Sequence, residues 1–324
     1  MKDVMTVCGP VPVDRLGKTL MHEHIIASAP GIADNYPELN ENAMERMCRD
    51  LKQMKSLGIR TVVDATPFDL GRDAEAMKQA SELTGVNIIS CTGFFQEPDM
   101  GISGYSKEQI AAVLVREIRE GIKKTGIRPG ILKTAMDSEG PTPGRELAHR
   151  AVGIASRETG LPVMLHSFPE GEAGRHQIRF LREEGCDLHR VKVDHCLETT
   201  DIGYLSWLYE QGVWLGVDRL PRVNGSAEET AKYPDVETRI RTIRKMIDMG
   251  MADRMLFSHD FISVSTFWDH QPTPEGQAYV DGMCPERFGF LQQVVFPRLV
   301  ELGADGDQLE RMLEENPRRF FEGC

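Results

Sequence analysis

The feature of this sequence that most restricts its fold is an alternation, repeated eight times, of short apolar runs with longer amphipathic stretches. The first apolar run ends in Leu20-Met21-His22-Glu23-His24. Runs rich in β-branched or aliphatic residues follow over 60–66, 86–92, 130–134, 161–166, 190–195, 213–217 and 254–260, and each reads as a strand. Between them, apolar residues recur at helical spacing over about 41–57, 73–83, 107–124, 145–158, 172–184, 201–211 and 236–249. Two further helical stretches, about 286–302 and 307–320, close the chain. A helix between successive strands forces parallel pairing, and eight such units close a (β/α)8 TIM barrel, an α/β fold with an additional C-terminal helix. At 324 residues the chain suits one such barrel, and no linker breaks the alternation, so residues 1–324 are expected to form a single domain.

Charge and composition then exclude several classes of function. With 38 basic against 50 acidic residues the net charge is -12, and no Lys/Arg block stands out, so nucleic acid and anionic membranes are not expected partners. Apolar runs fall well short of the roughly 20 residues of a membrane span, and residues 1–13 lack the apolar and basic regions of a secretion signal. A soluble protein of the cytoplasm is expected. The seven cysteines are scattered without a C-x-x-C pair, which fits reduced thiols. Gly17-Lys18-Thr19 imitates the end of a phosphate-binding loop, but Pro12 stands where that motif needs glycine. The stretch 261–285, with Trp268, Pro272, Pro274 and Gly276, is long for a loop in a compact domain, and such loops are usually functional.

Chemistry in barrels sits at the C-terminal ends of the strands. There this chain carries His22 and His24, which alternation puts on one strand face, then Lys133, His166, His195 and Asp260. An isolated His-x-His is more often a hydrogen-bonded structural pair; four histidines at equivalent rims instead favour metal ligation, because neutral imidazole is the commonest nitrogen ligand. The other histidines, His149, His176, His189, His259 and His270, fall in helices, in loops or on the face opposite Asp260, and are read as surface or structural. Lys133 leaves two readings open: a lysine salt-bridged to an acid such as Asp260, or a neutral amine that reacts with carbon dioxide to give a metal-bridging carbamate.

In order along the chain, these residues match a family. Leu16-Gly17-Lys18-Thr19-Leu20-Met21-His22-Glu23-His24, Val63-Asp64, Phe68-Asp69-Leu70-Gly71-Arg72-Asp73, Lys133, Leu161-Pro162-Val163 before His166, His195 with Asp201, Gly216-Val217-Asp218-Arg219, Ser258-His259-Asp260 and Glu315-Asn316-Pro317-Arg318-Arg319-Phe320-Phe321 together resemble the phosphotriesterase-related group of the amidohydrolase superfamily. The resemblance covers nearly the whole chain. It implies a binuclear centre of two divalent metal ions, zinc first and cobalt, manganese or iron as alternatives. His22, His24 and Asp260 would hold one ion and His166 and His195 the other, with N6-carboxylysine at Lys133 and a hydroxide shared between them. It further implies hydrolysis of a small-molecule lactone or other carboxylic ester, with side activity on organophosphate triesters, Asp260 taking the proton of the attacking hydroxide. No G-x-S-x-G elbow supports a serine hydrolase. An amide or carbamate hydrolase using the same metals, and a barrel that binds metal or ligand without catalysis, are the alternatives. Arg219 resembles the arginine that lactonases of this group place near the substrate loop, or it pairs with a nearby acid. Phe95 stands where some lactonases carry a tyrosine, Trp268 is a candidate for the same pocket wall, and Asp69 and Arg72 read as structural. The resemblance also implies a homodimer.

Overall fold

The computed structural model describes residues 2–29, 31–36, 38, 41–95, 104–220, 232–265 and 284–323. An antiparallel hairpin of β1 (Asp3–Thr6) and β2 (Gly9–Pro12) opens the chain. The barrel staves follow as β3 (Lys18–Glu23), β4 (Ile59–Asp64), a third stave in two pieces, β5 (Asn87–Ile89) and β6 (Cys91–Gly93), then β7 (Ile131–Met136), β8 (Val163–Ser167), β9 (Val191–Val193), β10 (Trp214–Val217) and β11 (Met255–Phe257). Pairing runs β3-β4-β5 and β6-β7-β8-β9-β10-β11, all parallel. The interruption falls at Ser90, whose carbonyl still accepts the Gly130 N–H at 2.9 Å, so the third stave joins the two sheets.

Closure is made between β3 and the segment after β11. Asp260 N donates to the His22 carbonyl (3.0 Å), His24 N to the Phe261 carbonyl (2.8 Å) and Ser263 N to the His24 carbonyl (2.8 Å). Glu23 seals this seam from outside the barrel: Oε1 accepts from Ser258 Oγ (2.8 Å) and His259 N (2.9 Å), and Oε2 accepts from Phe261 N (2.9 Å). Eight parallel staves with a helix after each make this a (β/α)8 barrel.

Alternation along the staves divides the core in two. Outward residues such as Leu20, Val62, Leu132, Leu165, Leu215 and Phe257 pack under the helices, while Met21, Val63, Ile89, Ile131, Met164, Trp214 and Leu256 fill the lower interior. Pairing of β3 with β4 slips between Leu20 and Glu23, and this bulge lets Met21 join the interior while His22 also faces inward. The barrel floor is plugged by Val4, Val13 and Leu16 from the N-terminal segment and by Phe320 and Phe321 from the last helix. Trp214 meets Phe320 edge-on at 5.8 Å, a geometry worth about 0.5–1.5 kcal/mol beyond its buried area.

The outer helices are Ala43–Ser56, Ala74–Thr84, Lys107–Glu120, Pro143–Thr159, Ala173–Glu183, Ile202–Glu210 and Val236–Asp248, close to the expected spans. Asp73, Ser106, Thr142, Asp201 and Asp235 accept first-turn backbone N–H groups as N-caps. Two expectations are corrected. The helix read over 286–302 is a 3-10 turn, Arg287–Gly289, a π segment, Leu291–Val295, and an α-helix, Phe296–Glu301. Pro297 has no N–H to give and its ring pushes the carbonyl four residues back out of α register. The stretch 307–320 is two helices, Gly306–Met312 and Glu315–Glu322, with Pro317 in the first turn of the second, where its missing donor is tolerated. Among the described residues no helix is long and apolar enough to cross a membrane. Trp268, His270 and most of the stretch 261–285 lie outside the described residues.

Candidate metal centre

Six side chains from five staves meet at the open end of the barrel: His22 from β3 and His24 just after it, Lys133 from β7, His166 from β8, His195 after β9 and Asp260 after β11. His195 and Asp260 stand beyond the strands expected to contain them, each in left-handed backbone at φ 61°. That conformation costs a non-glycine residue about 1–2 kcal/mol. At His195 it turns the side chain inward although Val191 and Val193 face outward, whereas Asp260 keeps the inward parity of Leu256.

Distances divide the cluster into two halves. In one, the Nε2 atoms of His22 and His24 each lie 3.3 Å from Asp260 Oδ1, and Lys133 Nζ is 3.4 Å from His22 Nε2. In the other, His166 Nδ1 and His195 Nε2 face each other at 2.9 Å. Ligand atoms from His22, His195 and Asp260 all lie within 4.8 Å of one another, so the halves adjoin. An oxygen lies behind each remaining ring nitrogen, in hydrogen-bond geometry at His24 and His195 and at ion-pair distance at His22 and His166. Thr66 Oγ1 is 2.8 Å from His24 Nδ1, Asp218 Oδ1 is 2.6 Å from His195 Nδ1, Asp137 Oδ1 is 3.3 Å from His166 Nε2 and Asp194 Oδ2 is 3.0 Å from His22 Nδ1. A carboxylate binds a ring nitrogen that carries a proton, which leaves the opposite nitrogen with its lone pair pointed at the centre.

The electrostatics suit cation binding. Burial pushes His24 and His166 down to about 4 and His195 well below its ordinary value, so these rings are neutral at pH 7. The facing nitrogens of His166 and His195 therefore both present lone pairs, an arrangement that is repulsive alone and favourable with a cation between the donors. His22 feels burial and Lys133 pushing down, but Asp194 and Asp260 outweigh them and raise it. Asp260 resists its burial because Arg219 and His22 hold its carboxyl well below the usual range. Asp218 is pushed up to about 6 by burial and by Asp194 beside it. Lys133 is fully buried, and desolvation lowers its amine from the ordinary lysine range. It does not take the salt bridge to Asp260 that the sequence left open; Asp260 pairs with His22, His24 and Arg219 instead. Four imidazoles, three of them held neutral by burial, with a carboxylate and a lysine of depressed pKa, form a set that fits borderline divalent metals.

Phe95 reaches the centre, its ring edge-on to His166 at 5.1 Å and 5.9 Å below Lys133 Nζ. Asp69 accepts the Phe95 N–H at 2.8 Å, and Arg72 donates to the Cys91 carbonyl and grips Glu117 with two nitrogens, both structural contacts. Gly93 is required here, since its Cβ would collide with the Lys133 carbonyl. Arg219 pairs with an acid as one of its two readings held, and that acid is Asp260 itself, with Nε 2.6 Å from Oδ2 while Nη1 is 3.1 Å from Glu198. Of the other histidines, His259 is buried with Nδ1 2.8 Å from Glu23, and His149 is buried beside Gln177. Sequence reasoning missed Asp137, Asp194, Glu198 and Thr66, and gave Asp218 no role. All five except Thr66 are acids, and Asp137, Asp194 and Asp218 directly follow a strand end while Glu198 lies five residues beyond one, which was the available signal.

Comparison with known proteins gives the following. A family model described as the phosphotriesterase family matches residues 2–321. A protein named "Phosphotriesterase homology protein" from Mycobacterium tuberculosis is 34% identical, covering 99% of this chain and 98% of the relative. An aryldialkylphosphatase from Saccharolobus solfataricus is 27% identical over 94% of this chain and 95% of its own length. An N-acetyltaurine hydrolase from Homo sapiens is 26% identical over 98% and 97%.

Proposed function

The chain belongs to the phosphotriesterase family, a family of metal-dependent hydrolases, and from that premise we propose that it cleaves a lactone or other carboxylic ester, with side activity on organophosphate triesters. The observation that carries this reading is the convergence of buried histidine ring nitrogens on one centre beside Asp260 and Lys133. His22, His24 and Asp260 would hold one divalent ion and His166 and His195 the other, with zinc the best match to the donors and cobalt, manganese or iron the alternatives. When bound, such a pair supplies a water acidified towards neutrality and a Lewis acid for the carbonyl or phosphoryl oxygen.

The side chains supply the rest. Lys133, as the neutral amine, would add carbon dioxide to give a carbamate and release a proton, which turns a buried neutral group into an anion suited to two metals. Asp260 stands where a proton leaving the nucleophile can be received and handed on, and Arg219 keeps that carboxylate ionised for the task. Phe95 brings no hydroxyl to the carbonyl, so the wall beside His166 is apolar, and Phe168 continues it with its ring 5.5 Å from the His166 ring. This pocket favours an ester with an apolar acyl or alkyl portion.

A second reading, amide hydrolysis by the same centre, is favoured by the relatives named N-acetyltaurine hydrolase, which align over nearly their full length. One panel tests both. Purified protein is assayed on γ- and δ-lactones, aryl esters, an aryl dialkyl phosphate and N-acyl amines, before and after a chelator and after return of zinc, cobalt or manganese. Lactone or ester turnover lost to chelation and restored by metal is expected. Turnover indifferent to chelation would refute the metal mechanism, and N-acyl amine cleavage outpacing every ester would move the assignment to the second reading.

A further inference from the structure

Below the six rim residues the barrel interior carries a second layer of charge that the mechanism above does not use. Lys192 and Asp194, two apart at the end of β9, both point inward and are buried. Lys192 Nζ lies 2.5 Å from Asp194 Oδ1 and donates to the Met21 carbonyl at 2.7 Å. It thus crosses the barrel lumen from β9 to β3, staves that do not pair with each other. The other carboxylate oxygen of Asp194 meets His22 Nδ1 at 3.0 Å. Gly216 on the adjacent β10 makes room for this group: a Cβ there would lie 2.5 Å from Asp194 Oδ1 and 3.0 Å from Asp218 Oδ2.

Barrel interiors are ordinarily filled by branched aliphatic side chains. A buried ion pair in their place is no more stabilising than an apolar pair of equal volume, because both ions lose their water. Packing therefore does not account for Lys192 and Asp194. Their geometry does, because the pair ends on a ring nitrogen of a rim histidine. The opposite half of the centre is built in the same way, with Asp218 behind His195. The His166–His195 half has two carboxylates behind its rings, Asp137 and Asp218, and the other half has Asp194 alone, which carries a buried ammonium of its own.

We propose that Asp194, neutralised by Lys192, is a positioning residue that holds the Nδ1–H of His22, aims Nε2 at Asp260 and Lys133, and strengthens metal binding in the His22–His24–Asp260 half alone. The inference rests on the metal-centre reading given above. Lys192 allows a full carboxylate to sit there without leaving an uncompensated anion beside Asp218. A carboxylate behind a ligating imidazole fixes the ring and makes it a stronger donor, and losing such a partner weakens metal affinity about 10–100-fold.

The test is a zinc titration of the metal-stripped, full-length protein against a chromophoric competitor, for the wild type, Asp194→Asn, Asp218→Asn and the double variant Asp194→Asn/Lys192→Met. Two zinc sites are expected in the wild type. Asp194→Asn should weaken one of them about 10–100-fold and leave the other unchanged. Asp218→Asn should weaken the other one. Repeating Asp194→Asn in a His166→Ala background, where the His22 half stands alone, should reproduce the loss on the single remaining site. The double variant removes both charges, so it should keep a wild-type melting temperature and show the same selective loss; it carries the test if Asp194→Asn alone does not fold. Unchanged zinc affinities in Asp194→Asn, or equal weakening of both sites in step with a lower melting temperature, would overturn the inference. A wild-type protein that binds no zinc would instead overturn the metal-centre reading itself.

Discussion

At the floor of the barrel Trp214, Phe320 and Phe321 pack against Val4, Val13 and Leu16, all of them buried and apolar, in ordinary strand and helix backbone. At the rim, about the height of the barrel away, His195, Arg219 and Asp260 hold left-handed backbone and carry or gather charge. The floor gains stability from each residue it buries. The rim loses it, through about 1–2 kcal/mol of backbone strain per left-handed residue and through buried ionisable groups. One stave can serve both ends: β10 begins with Trp214 in the floor and runs by alternation through Gly216 to Asp218 behind His195. The comparison teaches that the scaffold and the chemistry are separable along the barrel axis, and each prediction below is a way to break or sharpen that separation.

The largest effect is expected from Asp260→Ala. It removes the acid that His22, His24 and Arg219 share, and should lower kcat/KM by about 10³-fold, equivalent to roughly 4 kcal/mol of transition-state stabilisation. Metal content should fall with it, while the melting temperature of the stripped protein moves little; activity and bound metal near wild type would end the case for this centre. Phe320→Ala at the floor should do the reverse. Truncating a fully buried phenylalanine costs about 3–5 kcal/mol, read as an earlier denaturation midpoint, with turnover per folded molecule unchanged. A Phe320→Ala protein that is stable but inactive would show that the two ends are coupled.

Acid should sharpen the contrast through His149, which lies between helix and barrel and belongs to neither end. Burial pushes it down to about 4, against 6.5 for the free side chain. The unfolded chain takes up a proton on this residue as pH falls below 6.5, whereas the folded chain does so only near 4. Stability from a neutral His149 is therefore fully present above pH 6.5 and lost progressively between 6.5 and 4, on the order of 3 kcal/mol in all. His24 and His166 shift the same way, so the measurement is a difference: His149→Gln should flatten the melting temperature against pH relative to wild type across that window. Parallel curves would show that His149 contributes nothing to acid sensitivity. The smallest effect is expected at Ser106, which closes a capping box with Gln109 on the outer face. Ser106→Ala should cost about 1 kcal/mol with metal affinity and kcat unaltered, and a change in either would mean that the outer helices tune the rim.

The same division explains how far the residues could be read in advance. His22, His24, Lys133 and His166 lie on regular or nearly regular staves, where counting by two locates them. His195 and Asp260 were found from their place at the ends of apolar runs, although the inward direction of His195 comes from a left-handed turn that no alternation rule contains. Lys192 and Asp194 were missed for that reason. Counting back by two from His195 puts them outside the barrel, and only the φ of 61° at His195 restores them to the lumen. The first hairpin was missed because Pro10 and Pro12 lie within its pairing register, and proline argues against a strand except at an edge, which is where this one is. Pro297 was legible as a break and was passed over because the apolar spacing continued through it.

The barrel's seam has a consequence of its own. His22 N donates to Ser258 Oγ across 236 positions of sequence, and the same seam carries three of the six rim residues. That half of the centre is therefore created by a closure between the first and last staves, and nothing in the middle of the chain can stand in for it. A nascent chain could complete its central staves and still hold no ion there until the final stave arrives and docks. On the proposed reading, cation uptake in this half would report a finished polypeptide.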